Sequence, residues 1–104
     1  MSHFRLSPEA HSDLEAMRRY LTRKGGPMLA RHVLGEIRHA LRFIAENPEA
    51  GHKREDLTDE KVKFWPVFSY LIVYEPSMRP IGIVRVIHGA QDVETMFSEK
   101  PPQM

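Results

Sequence analysis

The sequence predicts an α+β fold: a helical hairpin packed on a small, mostly antiparallel sheet, in the order β-α-α-β-β-β. Three observations carry this prediction. Apolar residues recur every three or four positions between Ala10 and Ile44, the period of helices with one face on a core. A Gly25-Gly26-Pro27 break divides that stretch, because glycine accepts a left-handed cap and proline cannot continue a helical ladder. From Lys61 onward, period-two alternation and short β-branched runs take over, the pattern of strands. The 104 residues fit a single domain, 1–104, with an ordered core expected over 4–97 and a frayed tail over 98–104.

Each element has a local reason. Phe4 and Leu6 alternate with polar neighbours in a short extended start, His3 to Ser7. Ser7 can accept a hydrogen bond from an unpaired first-turn amide, Pro8 suits the first helical position, and Glu9 complements the positive helix end. Ala10, Leu14, Met17 and Leu21 then form the stripe of a first helix. The second helix is predicted from Met28 to Asn47. Its stripe, Ala30, Val33, Leu34, Ile37, Leu41 and Ile44, falls within a sector of about 100°. Asn47 stops it, because the residue before a proline is pushed out of helical geometry.

Pro48 to Glu60 reads as a polar loop with a turn at Glu49-Ala50-Gly51. Lys61 to Trp65 alternates charged with apolar residues, as a half-exposed strand does, and Pro66 predicts a strand end or a sheet edge. Tyr70 to Tyr74 is a run of β-formers, and Pro76 to Pro80 is a turn. Ile81 to His88 is apolar on both faces, which predicts a central strand, and Gly89 ends it. Val93 to Phe97 reads as one last strand or helical turn.

Composition excludes several classes. With no cysteine, neither a disulfide framework nor a thiolate metal site is possible. No apolar run approaches the roughly 18 residues of a membrane span, and the first residues lack the apolar core of a signal peptide. A cytoplasmic location is therefore expected. Fifteen Lys and Arg against fourteen Asp and Glu give a net charge of +1, which argues against a simple nucleic-acid coat. The balance conceals blocks. Over 18–42, seven cations face only Glu36; over 43–60, six acids face only Lys53 and Arg54. Such a dipole steers partners by sign, although a solvated helix face beside an acidic loop explains it too.

Candidate groups follow from these patterns. Arg31, Arg38 and Arg42 share one face of the second helix and form a basic flank, which reads as a solubilising edge beside the core or as a stripe facing an acidic or phosphate-bearing partner. Opposite the apolar stripe, His32, Glu36 and His39 have helical spacing, but no fourth ligand is evident and a solvated outer face explains them better than a metal. Lys61, Lys63 and Trp65 point one way on their strand. They read as an edge guarded by lysines, although a lysine–aromatic face also stacks on nucleotides. His88, with Arg85 before it and Asp92 after, reads as a strand-end anchor, with a general base as the alternative. No phosphate-binding glycine loop and no cofactor motif is present.

Four segments together resemble the RelE/ParE toxin superfamily, the toxin half of bacterial toxin–antitoxin pairs. They are Leu6-Ser-Pro-Glu-Ala10, Asn47-Pro-Glu-Ala-Gly51, Ser69-Tyr-Leu-Ile-Val-Tyr74 and Ile83-Val-Arg-Val-Ile-His-Gly-Ala-Gln-Asp92, in the family's order over about residues 4–97. The resemblance implies a helical hairpin on a small antiparallel sheet. Its RelE branch cleaves mRNA on the ribosome; its ParE branch poisons DNA gyrase and needs no hydrolytic site. Leu71, Gln91 and Phe97 fall near positions where RelE-type RNases carry arginine, arginine and tyrosine. A catalyst that stabilises a phosphorane needs fixed cations, and these residues supply none.

The resemblance therefore implies a ParE-like gyrase inhibitor without catalytic residues, cofactor or metal. It implies neutralisation by a ParD-like antitoxin with a ribbon-helix-helix DNA-binding half and an acidic–apolar tail, in a higher-order hetero-oligomer. Expected contacts are Arg31, Arg38, Arg42, Trp65, Arg85, Met96 and Phe97. Two alternatives stand beside this one. The first is an mRNA endonuclease using His88, Arg85, Lys61 and Lys63, since His88 lies near a strand-end histidine of some RNase members. The second is a degenerate toxin that only binds antitoxin. Gln91 also departs from the ParE-like pattern, which usually has arginine there.

Overall fold

The computed structural model describes residues 3–55 and 61–89. Strand β1 (Phe4–Leu6) leads into a long helical element, α1 (Pro8–Glu46), then a single 3₁₀ turn (Pro48–Ala50) and strands β2 (Lys63–Val67), β3 (Tyr70–Glu75) and β4 (Ile81–His88). The sheet order is β1-β4-β3-β2. β1 runs parallel to β4, and the other two pairings are antiparallel. The α+β class is as expected, and β4 is indeed a central strand.

Two expectations are corrected. The two helices and three-residue link predicted from Gly25-Gly26-Pro27 are one helical element, in which Gly26 alone leaves helical geometry (φ 87°, ψ 175°). One left-handed residue suffices to turn the chain, and glycine takes that conformation without a Cβ penalty. The element is sharply bent there. A straight helix of 39 residues would measure about 58 Å, whereas the longest dimension of the molecule is 41 Å. The stretches on either side of Gly26 face each other across shared cavities lined by Arg18 and Thr22 from one and Ala30 to Arg38 from the other. The second correction concerns β2, which starts at Lys63 rather than Lys61; at Pro66 the sheet-edge expectation holds and the strand-end one does not, because the strand runs on to Val67. As an outer strand of the sheet, it has a side on which a missing N–H breaks no ladder bond.

The helix ends obey local chemistry. Ser7 Oγ accepts from the Ala10 amide at 2.9 Å and donates to the Val84 carbonyl at 2.7 Å, so the cap also ties α1 to β4. At the far end the Asn47 amide donates to Phe43 O at 2.8 Å, and its side chain donates to the same oxygen at 3.0 Å. The core lies between α1 and one face of the sheet. It takes Ala10, Met17, Leu21, Ala30, Val33, Ile37, Leu41 and Ile44 from the helix against Ile72, Tyr74, Ile81 and Ile83. Leu14 and Leu34 belong to the same apolar stripes but stay only partly buried.

Candidate functional site

Leu14 and Leu34 mark where the packing of α1 opens. A cavity of about 300 Å³ lies between its two stretches, lined by Arg18, Thr22, Pro27, Ala30, Arg31, Leu34, Gly35 and Arg38. A second, of about 260 Å³, shares Arg18, Leu34 and Arg38 and continues to Phe4 and Leu6 on the outer strand β1. The two form one trough with an apolar floor and an arginine rim. Each is at or below the lower end of the range for small-molecule sites, about 300–1,000 Å³. An elongated apolar trough fits the side chains of a polypeptide better than a compact cofactor. Arg31 and Arg38, two turns apart and exposed, have their guanidinium groups free of protein partners among the described residues. Arg42 shares their face of α1 but lines neither cavity. Arg18, which the sequence reading left out, joins them from the other stretch, bridged to the exposed Glu15 at 2.9 Å.

Arg85 has a different role. Its Nε and Nη2 donate to the two carboxylate oxygens of Asp13 at 2.7 and 2.8 Å, and the Val86 amide donates to the same carboxylate at 2.9 Å. This bidentate, half-buried pair pins the start of α1 to β4. Trp65 is half-buried, with its ring 5.3 Å from Phe43 and parallel to His52 at 6.3 Å. His52 exchanges two backbone hydrogen bonds with Phe64, partly covering the outer edge of β2. Met96 and Phe97, like Gln91, Asp92, the segment 93–97 and the tail, lie outside the described residues.

The cations of the RNase alternative are not assembled at one point. His88 faces Tyr70 across the β3–β4 ladder, with ring centroids 4.8 Å apart. Lys63 faces Tyr74 across β2–β3. Tyr70 and Tyr74 are four residues apart on one strand, a separation of about 13 Å. The Lys63 ammonium lies 3.6 Å from the Glu49 carboxylate, and Arg85 is held by Asp13. Lys61 is exposed and precedes β2. Of the predicted His32, Glu36 and His39 group, His39 Nδ1 lies 3.9 Å from Glu36 Oε2, whereas the His32 ring packs toward Phe68 at 6.0 Å.

The Asn47-Pro-Glu-Ala-Gly51 segment has a structural explanation. The Tyr74 hydroxyl accepts from the Gly51 amide at 2.8 Å and donates to the Pro48 carbonyl at 2.7 Å. A Cβ at residue 51 would overlap that hydroxyl, so glycine is required by close approach. Burial raises the Tyr74 pKa above 10.0; the Gly51 amide opposes the shift and nearby Glu49 adds to it. Burial, and then the charge of an ionised Tyr20 nearby, raises that of Tyr70.

Comparison with known proteins adds the following. The family model described as the ParE toxin of the type II toxin–antitoxin system parDE matches residues 4–93. Among solved structures, the chain is similar to one described as the chromosomal ParDE toxin–antitoxin system from P. aeruginosa. The two are 17% identical with a TM-score of 0.73, covering 86% of this chain and 97% of that one. At that identity the likeness is one of fold. No curated protein matches.

Proposed function

The chain belongs to the ParE toxin family of type II toxin–antitoxin systems, and on that premise we propose that it inhibits DNA gyrase and is held inactive by a ParD-like antitoxin. The antitoxin's acidic–apolar tail lies in the trough of α1. Its apolar side chains meet Leu14 and Leu34, and its carboxylates meet Arg18, Arg31 and Arg38, with Arg42 extending the basic rim. The unpaired guanidinium groups of Arg31 and Arg38 beside a partly uncovered apolar floor support this reading, because a disordered tail that folds on binding needs both burial and charge pairing. The complex works in the cytoplasm as a hetero-oligomer and binds DNA through the antitoxin's ribbon-helix-helix half.

A gyrase poison rather than an RNase is supported by the separation of His88 from Lys63 and by the commitment of Arg85 to Asp13. The test uses purified toxin with gyrase and supercoiled plasmid and, in parallel, with programmed ribosomes. Gyrase-dependent plasmid cleavage with intact mRNA is expected. Site-specific mRNA cuts that disappear in His88→Ala would establish the RNase reading instead.

A further inference from the structure

The trough occupies one flank of α1, and the other flank carries a different surface. Leu29 and His32 lie on average about 140° around the helix axis from Arg31 and Arg38, and Tyr20 lies about 160° from Arg18. Leu29 and Tyr20 are both partly exposed, at 37% and 43%. The Lys24 ammonium sits 5.8 Å from the centre of the Tyr20 ring. The β2–β3 turn meets this flank. There Phe68 is 61% exposed and held at φ 56°. The two-residue β2–β3 loop imposes positive φ at its first position, and a bulky side chain there is an outlier. His32 buttresses the Phe68 ring from α1, and on the same sheet end Tyr70 and His88 pair ring to ring.

Lys24 brings a cation to this face, beside the imidazole rings of His32 and His88. Of the carboxylates on the same flank of α1, Asp13 is held by Arg85, Glu36 lies near His39, and Glu9 stands away from the face at the start of the helix. We propose that this aromatic face, anchored by Phe68, is the surface through which the toxin engages its cellular target, and that it receives a protein surface presenting an apolar pocket bordered by carboxylates. An exposed aromatic knob with neighbouring aromatics is the kind of residue that dominates protein interfaces. A nucleic-acid track would need a line of permanent cations, and here Lys24 is one such group among imidazoles and phenols.

The proposal rests on the toxin reading, and one substitution separates the two. Asparagine tolerates positive φ, so Phe68→Asn relieves the turn while removing the anchor. The full chain is expressed with and without antitoxin, and its binding to purified gyrase is measured. For Phe68→Asn the expected results are an unchanged or higher Tm, antitoxin affinity within about twofold of wild type, and loss of growth arrest with at least a roughly tenfold fall in gyrase affinity. Phe68→Trp should retain arrest. A Phe68→Asn chain that arrests growth as wild type does would overturn this proposal alone. So would one that loses antitoxin affinity and thermal stability together, because Phe68 would then be structural. Phe68-dependent binding of a single-stranded oligonucleotide without binding to gyrase would replace the protein partner with nucleic acid. A wild-type chain that arrests nothing overturns the toxin reading itself.

Discussion

The arginines of this protein divide between two regions that differ in one respect, whether the fold already uses their charge. At the junction of α1 and β4, Arg85 gives two hydrogen bonds to Asp13, which also takes the Val86 amide. Around the trough, Arg31 and Arg38 carry the same group over Leu34 with no carboxylate assigned to either among the described residues. A charge-assisted pair that is largely desolvated fixes geometry and is costly to break. A solvated guanidinium beside apolar surface adds little to the fold and remains available to a partner. The same residue type is thus structural in one place and a candidate for recognition in the other.

The strongest way to break this comparison is to reverse the charges of the free set. Arg31→Glu, Arg38→Glu and Arg42→Glu together should lower antitoxin affinity by about a hundredfold or more at low salt, because like charges would then face each other across the interface. The thermal midpoint should stay nearly unchanged, since these side chains are solvated. Calorimetric titration at two salt concentrations reads both the loss and its screening. Unchanged affinity would return the basic flank to ordinary surface.

Asp13→Ala is the matching test of the committed region. It removes the carboxylate that the half-buried Arg85 guanidinium and the Val86 amide share. Urea unfolding should show a loss of about 2–3 kcal/mol, equivalent to a fall in Tm of about 10 °C or more. Antitoxin affinity at a temperature where the variant is folded should hold. A variant as stable as wild type would mean that the clamp only decorates the junction.

How far these roles could be read from sequence depended on the distance over which each is decided. Ser7-Pro8 starting α1, Asn47-Pro48 ending it and Ile81–His88 as the central strand follow from neighbours in the chain, and the structure agrees. The break in α1 was overestimated because only one residue must adopt positive φ. Gly25 remains helical, and a Cβ there would collide with the Leu29 side chain. β2 continues past Pro66 because an outer strand tolerates a missing donor, which is the sheet-edge outcome that Pro66 and the flanking lysines point to in the sequence. The pairing of Arg85 with Asp13 is not legible from its neighbours, because the two are 72 residues apart. Arg18 reaches the trough only because α1 bends at Gly26, so its neighbours in the chain do not place it there. The exposure of Phe68 at positive φ is a property of the turn and leaves no trace in the identity of the residue.

The smallest expected effect probes the lock between Tyr74 and the 48–51 turn, and pH makes it specific. Tyr74→Phe keeps the ring and removes the hydroxyl, leaving the buried Gly51 amide and the Pro48 carbonyl without that partner. The cost should be about 1–2 kcal/mol, the price of an unmade buried hydrogen bond. The sign of the pH dependence follows from the Tyr74 pKa, which burial raises above 10.0. Below that value the phenol is neutral in both folded and unfolded chains, and its contribution is fully present. Above it the unfolded chain releases the proton first, so stability falls as pH rises toward the folded-state pKa. Urea unfolding compared between about pH 8 and about pH 11 should therefore show a steeper loss for wild type than for Tyr74→Phe. The difference should be partial, because Tyr70 is shifted in the same direction and remains in both chains. An identical alkaline slope in the two proteins would mean that Tyr74 is solvated and that its hydroxyl does not lock the turn.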